Sequence, residues 1–162
     1  MSSLPETPAA PNAASGGIDP RGPRFTAAVM SVLLLAVVFL GVADASSAAP
    51  VLLTVAVATF AWGAGAGVRR HPLGWVFKAA VRPRLGPPGE LEDPAAPRFA
   101  QLVGLLVTGA GLVLGLLGIP QAVPVAAGIA FVAAFLNAVF GYCVGCQLYV
   151  LLVRARVDRS TP

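Results

Sequence analysis

Four apolar stretches without a charged residue constrain this chain more than any other feature. Each has the length of about 20 residues that a helix needs to cross the hydrocarbon layer of a bilayer. The stretches are Phe25–Ala43, Pro50–Val68, Phe99–Ile119 and Val123 to about Tyr142. Because 57% of the residues are hydrophobic and only 11% are charged, too little polar surface remains to cover a soluble domain. The sequence therefore predicts an all-α, integral membrane four-helix bundle embedded in a lipid bilayer.

The basic residues predict the orientation of this bundle. All eleven Lys and Arg residues lie before the first stretch, between the second and third, or after the fourth. The other two connections, Asp44–Ala49 and Pro120–Ala122, contain none. Since basic loops stay on the cytoplasmic side, we expect both termini and the long middle loop there. Membrane insertion and anionic lipid account for these charges, and no nucleic-acid partner is expected.

An internal repeat divides the chain into two halves. The motif Asp-Pro-x-x-Pro-Arg-Phe occurs at Asp19–Phe25 and again at Asp93–Phe99, a sequence offset of 74. The same offset relates Gly41 to Gly115, Pro50 to Pro124, Gly67 to Gly141 and Arg82 to Arg156. We therefore predict a disordered cytoplasmic tail over 1–17 and two tandem two-span units, 18–92 and 93–159. Units with an even number of spans share one orientation and are related by a pseudo-twofold axis along the membrane normal.

Small residues in these stretches predict close helix packing. Two glycines four positions apart let helix backbones approach each other in lipid. Such pairs are Gly63 and Gly67, Gly111 and Gly115, and Gly141 and Gly145. Asn137 is the one amide of the fourth stretch, and we expect it to hydrogen-bond to a neighbouring helix.

The middle loop predicts a helix break followed by an interfacial helix. Pro72 should end the second helix, because the residue before a proline disfavours helical geometry. Leu73–Val81 then has the composition of a short helix at the membrane surface, with Trp75 and Phe77 in the headgroup layer. His71 is expected to contact lipid headgroups.

The only two cysteines, Cys143 and Cys146, fall near the inner end of the fourth stretch. The offset of the repeat aligns Cys146 with Pro72, so it predicts a helix break at the cysteine pair. If a new helix begins there, its amino end favours a thiolate and the pair is a candidate catalytic redox dithiol. If the fourth helix continues unbroken, the thiols are inert packing.

Other chemistries have weaker support. The spacing of Cys143 and Cys146 allows a disulfide to close. Structural zinc needs four ligands, and besides these thiols the chain has only His71, unless a homo-oligomer pools four thiolates. The sequence has no phosphate-binding loop and no paired-histidine motif, and no carboxylate lies within a predicted span. We therefore expect neither a cofactor nor a metal ion.

Several segments together resemble an uncharacterised four-span bacterial membrane family, common in actinobacteria, known as domain of unknown function 4395. The segments are Ile18–Phe25, Val81–Pro88, Glu90–Pro94, Pro97–Gln101, Ala134–Ala138 and Gly141–Cys146. The resemblance implies a multi-pass protein of the bacterial inner membrane whose gene often neighbours thioredoxin-like or sulfurtransferase genes. Members usually have Glu after the second cysteine, where this chain has Gln147.

Three functions follow as hypotheses. The first is a cytoplasmic-face dithiol that exchanges electrons or sulfur with a thioredoxin-like or sulfurtransferase partner, with Cys143 attacking and Cys146 resolving. The second is a non-enzymatic membrane scaffold or complex subunit. The third is a small-molecule permease.

Overall fold

The described part of the chain contains six α-helices, with short 3₁₀ and π segments and an irregular loop between the third and the fourth. The computed structural model describes residues 17–43 and 47–160, the last four of these by backbone alone, so the predicted tail lies outside the described residues except for Gly17. The long helices are α1 (Arg21–Val42), α2 (Ala48–Ala66), α4 (Ala95–Leu116) and α5 (Ala122–Phe140), and the others are α3 (Pro72–Val76) and α6 (Val144–Ser160). The four long helices are apolar and long enough to cross a membrane. The all-α prediction is confirmed, and the chain is a multi-pass membrane protein.

Each long helix carries a proline at its third position. These prolines are Pro23, Pro50, Pro97 and Pro124. The first four N–H groups of a helix have no partner within it, so a proline in this turn removes no helical hydrogen bond. At α1 and α4 an aspartate fixes the start as well, because Asp19 accepts the Arg21 N–H at 3.0 Å and Asp93 accepts the Ala95 N–H at 2.9 Å. These contacts start both helices four residues earlier than the uncharged stretches indicated.

The helix bounds repeat with the predicted offset. The residue numbers at both ends of α4 exceed those of α1 by 74, and the same difference relates α5 to α2. The most extensive interfaces are those of α1 with α5 and of α2 with α4, and the offset maps one of these onto the other. This arrangement agrees with a pseudo-twofold axis, while the tandem repeat and its orientation stay predictions.

The core lies between α1, α2 and α5. Its fully enclosed side chains include Leu34 and Val37 of α1, Leu53 of α2 and Ala127 of α5. In lipid these contacts stabilise the bundle by van der Waals packing rather than by removal of apolar surface from water. Large apolar side chains cover the outer faces of the long helices, as a lipid environment requires.

The glycine pairs serve two different purposes. Gly111 and Gly115 of α4 both lie against α5, where Ala126 and Val123 occupy the space that a Cβ atom would need. Gly67 and Gly141 instead follow the ends of α2 and α5 with positive φ, 83° and 68°, which favours glycine. The close-packing prediction therefore holds for both members of the Gly111 and Gly115 pair. Each of the other two pairs combines one closely packed glycine, Gly63 or Gly145, with a turn glycine.

The middle loop contains a helix break, but α2 ends at Ala66, before the positive-φ Gly67, and Pro72 begins α3 instead of ending α2. Two side chains of the loop also differ from expectation. After a 3₁₀ turn over Val68–Arg70, His71 is extended and the chain is helical again from Pro72 to Val81. Trp75 is 71% exposed, as expected at an interface. Phe77 is only 3% exposed because it packs on Phe25 of α1, with ring centroids 5.9 Å apart, so its headgroup assignment was wrong.

His71 was also misassigned. Its side chain is 2% exposed, and the Leu73 N–H donates to its Nδ1 at 3.2 Å. The ring therefore caps the start of α3 from inside the fold instead of contacting lipid headgroups. Asn137 differs from expectation too, since its side chain makes no hydrogen bond within 17–43 and 47–160.

Candidate functional site

Residues 141–146, here called the cysteine turn, comprise the link between α5 and α6 and the first residues of α6. Gly141 takes the left-handed conformation and donates its N–H to the Asn137 carbonyl at 3.1 Å, while the Tyr142 N–H reaches the Leu136 carbonyl at 3.2 Å. The bond from Gly141 to the carbonyl four residues back is that of the αL motif, in which a left-handed residue ends a helix and satisfies one of its last carbonyls. The helix break predicted at the cysteine pair is confirmed, and the unbroken-helix alternative is wrong.

A new helix begins directly after Cys143. Its first backbone bond runs from the Gln147 N–H to the Cys143 carbonyl at 3.0 Å. The Cys146 N–H donates to Cys143 Sγ at 3.2 Å. The Cys143 sulfur therefore takes the position of an N-cap acceptor, where the N–H groups and the helix dipole favour negative charge.

The structure brings the two predicted site residues together. Cys143 and Cys146 form a disulfide, with their Cα atoms 5.2 Å apart. That separation lies within the range that disulfides require. The pair thus stands in its oxidised form rather than as the free dithiol of the prediction, because one helical turn places the two sulfur atoms side by side. Both cysteines are half-buried.

α6 is held on the bundle by a close contact at the glycine between the cysteines. Gly145 is buried, and a Cβ atom there would lie 2.6 Å from both the Cα and the Cβ of Ala100 in α4. One turn further, Tyr149 packs on Phe99 with ring centroids 5.8 Å apart. The cysteine turn is therefore positioned by α5 on one side and by α4 on the other.

An arginine of each Asp-Pro-x-x-Pro-Arg-Phe motif lies at the end of a neighbouring helix. Arg98 donates to the carbonyls of Ala64, at 2.7 Å, and Gly65, at 3.2 Å, in the last turn of α2. Arg24 lies over the end of α5, where a Cβ atom on Gly141 would be 2.6 Å from its Nη2 atom. Cations are favourable at the carboxyl ends of helices. Sequence reasoning assigned these arginines to topology alone and missed this contact.

The remaining sequence candidate, His71, does not join the cysteines. The cavity that it lines has no cysteine in its wall. The described part of the structure therefore does not support a metal site formed by His71 and the two thiols of one chain.

One of three comparisons with known proteins found a match. A family described as "Domain of unknown function (DUF4395)" matches residues 18–154, which is most of the chain. Neither the comparison with curated proteins nor that with solved structures found a match. The matched range contains all four long helices and the whole cysteine turn, and on this basis the chain belongs to the DUF4395 family.

Proposed function

We propose that the cysteine turn is a thiol–disulfide exchange site at the cytoplasmic face of the membrane. The observation that carries the proposal is the Cys146 N–H donated to Cys143 Sγ at the first turn of α6. A thiolate is the reacting species in exchange, and helix amino ends stabilise it. A sulfur placed only for packing needs no such donor.

The exchange can be written from the disulfide that the structure contains. A thiolate of a reduced partner attacks Cys143 Sγ, the Cys143–Cys146 bond breaks, and Cys146 leaves as a thiolate that takes up a proton. The second thiolate of the partner then attacks the partner sulfur of the mixed disulfide and releases Cys143, whose negative charge the Cys146 N–H stabilises. Two electrons pass to the cysteine pair, and the partner dithiol becomes a disulfide. The reverse sequence reduces a partner disulfide.

The distribution of charge supports a cytosolic partner. The cysteine turn is at the same end of the bundle as the middle loop, which carries five of the eleven basic residues, and as Arg98 in the first turn of α4. The positive-inside bias assigns this end to the cytoplasm, together with both termini. This chemistry requires a soluble partner with its own dithiol, and the family resemblance favours one of the thioredoxin-like class.

Trapping the mixed disulfide tests the proposal. In Cys146→Ser the resolving thiol is absent, so Cys143 should remain linked to its partner on a non-reducing gel. Cys143→Ser is the matched control, since it keeps one thiol in the same turn but removes the one that accepts the N–H. Partner capture by Cys146→Ser alone supports the proposal, whereas equal capture by both variants, or by neither, contradicts it.

Alkylation locates the site and separates the alternative functions. Inverted vesicles treated with a reductant should label with a membrane-impermeant maleimide, while intact cells should not. Thiols that stay unlabelled in both preparations until the protein unfolds would end the exchange proposal and leave a scaffold role. Transport of a small sulfur compound that survives Cys143→Ser would instead indicate a permease.

A further inference from the structure

A second site lies at the same end of the bundle, apart from the cysteine turn. It is a cavity of about 360 Å³ between the start of α1, the His71 turn with α3, and α4. Residues 17–19 close one side of it, because Ile18 and Glu92 exchange both backbone hydrogen bonds at 2.9 Å. A cavity of this size falls in the lower range of small-ligand sites.

The first observation that points to a ligand is His71, whose ring is 2% exposed and lines this cavity. Its Nδ1 accepts the Leu73 N–H, so the ring carries its proton on Nε2. Nε2 has no hydrogen-bond partner. Burial lowers the pKa of His71. The Thr59 backbone carbonyl acts in the opposite direction, but it does not meet the distance and angle criteria of a hydrogen bond with Nε2. The neutral ring therefore presents one unsatisfied donor.

The second observation is Gln101 of α4, which lines the same cavity. Its Oε1 is buried and also lacks a partner. The side chain lies against Gly63 of α2, where a Cβ atom would be 2.8 Å from Oε1. An unpaired buried polar atom is destabilising, so two such atoms on residues that line one cavity point to a group that supplies both an acceptor and a donor.

The charged side chains that line the cavity favour an anionic ligand. Arg69, Lys78 and Arg82 line the cavity, and Asp19 is its one lining carboxylate. Asp19 is already paired with Arg21, whose Nε lies 3.0 Å from Oδ1. The charge of Arg82 also acts on Asp19, whereas Arg69 and Lys78 have no acidic partner among the lining residues, so the wall carries an excess of positive charge. Guanidinium and ammonium groups with a neutral N–H donor are the usual ligands of phosphate oxygens.

We infer that this cavity binds a phosphate group attached to a small hydroxylated body, as in glycerol phosphate or the headgroup of phosphatidylglycerol. The phosphate oxygens accept from His71 Nε2 and from Arg69, Lys78 or Arg82, while a hydroxyl donates to Gln101 Oε1. The inference does not depend on the exchange function, since no cysteine lines the cavity.

The test uses the full-length protein in lipid nanodiscs and two probes that separate a free ligand from a lipid. Calorimetry in phosphatidylcholine nanodiscs measures binding of sn-glycerol 3-phosphate. Native mass spectrometry of protein from nanodiscs with equal phosphatidylcholine and phosphatidylglycerol measures the anionic lipid retained. Binding in the first experiment indicates a soluble ligand and retention in the second a lipid headgroup, and either result supports the site.

Variants decide whether binding occurs in this cavity. Arg82→Gln should weaken binding about tenfold, as loss of a charge-assisted hydrogen bond predicts, whereas Arg84→Gln, in the same 3₁₀ turn but outside the cavity wall, should change it less than about twofold. Gln101→Leu should also weaken binding about tenfold without lowering the melting temperature, because Oε1 has no partner to lose. His71→Asn keeps a side-chain acceptor for the Leu73 N–H while removing the Nε2 donor.

Three outcomes would overturn the inference. Equal effects of Arg82→Gln and Arg84→Gln would mean that the probes respond to surface charge alone. Unchanged binding in folded Gln101→Leu and His71→Asn would mean that water satisfies both buried atoms. Absence of binding in both experiments would mean that the cavity takes no phosphate group.

Discussion

Ile18 and Glu92 lie opposite each other in an antiparallel bridge, and their separation in the sequence equals the offset of the repeat. They are thus equivalent positions of the two predicted units. When a residue pairs antiparallel with its own equivalent, a local twofold axis passes between the two, as in an isologous interface. The bridge, together with the α1–α5 and α2–α4 interfaces, supports two units of the same orientation.

A disulfide cross-link tests this bridge. In a background of Cys143→Ser and Cys146→Ser, Ile18→Cys with Glu92→Cys should cross-link on mild oxidation. Residues that exchange both hydrogen bonds have Cα atoms about 5.5 Å apart, which suits a disulfide. Ile18→Cys with Leu85→Cys, which places the second thiol in the exposed loop after the 3₁₀ turn, is the control. Cross-linking no faster than the control on non-reducing gels would contradict the bridge.

Two helix glycines with different surroundings test how α6 is held. Gly145→Ala should lower the free energy of unfolding by about 1 to 3 kcal/mol, because its Cβ would collide with the backbone of Ala100. Gly109→Ala in α4 has open space and should raise stability by about 0.5 to 1 kcal/mol. Thermal unfolding in detergent measures both changes. If the two variants behave alike, α6 is not packed on α4 at this point.

The two cysteines should react at different rates. In Cys146→Ser the backbone N–H of residue 146 remains to stabilise a Cys143 thiolate, whereas in Cys143→Ser the remaining thiol loses this arrangement. We expect Cys143 to react with iodoacetamide about tenfold faster at pH 7, since one charge-assisted hydrogen bond contributes roughly 1.5 kcal/mol or more. Mass spectrometry of timed samples gives both rates. Equal rates would show that the start of α6 does not activate Cys143.

Sequence reasoning predicted the features that depend on local chemistry. The apolar stretches gave the spans, and Pro72 with the offset of the repeat gave the break at Cys143. Sequence reasoning failed where a helix that is distant in the sequence determines the environment of a side chain. The burial of Phe77 depends on Phe25, and that of His71 depends on α1 and α4 lying around the loop. Only tertiary packing specifies such contacts.

Gln101 shows the same limit for the second site. It lies far from His71 in the sequence, on a different helix, and no motif joins the two. Gln101 can lie against α2 at Gly63 because this glycine has no Cβ atom, which would be 2.8 Å from Oε1. A glycine facing a polar residue of a neighbouring span is a signal that sequence alone does not reveal, because the facing helix has first to be known.

His71 makes the free energy of unfolding depend on pH, and the direction of this dependence follows from its pKa. Burial lowers its pKa in the folded state below the ordinary value of 6.5. Below about pH 6.5 the unfolded chain therefore binds a proton that the folded chain does not, and the free energy of unfolding falls as the pH decreases, by at most about 1.4 kcal/mol per pH unit. Above pH 7 this contribution is fully present.

Asp19 is the other lining residue of this cavity with a shifted pKa, and its shift lies away from that window. Burial alone would raise the pKa of Asp19, but hydrogen bonds and charge from Arg21, together with the charge of Arg82, hold it below its usual value. Melting temperatures between pH 8 and 5 should accordingly decline below pH 6.5 in the native chain and be nearly flat there in His71→Asn, which keeps the cap on α3 without a titratable ring. Equal slopes for the two proteins would show that His71 is accessible to protons in the folded state.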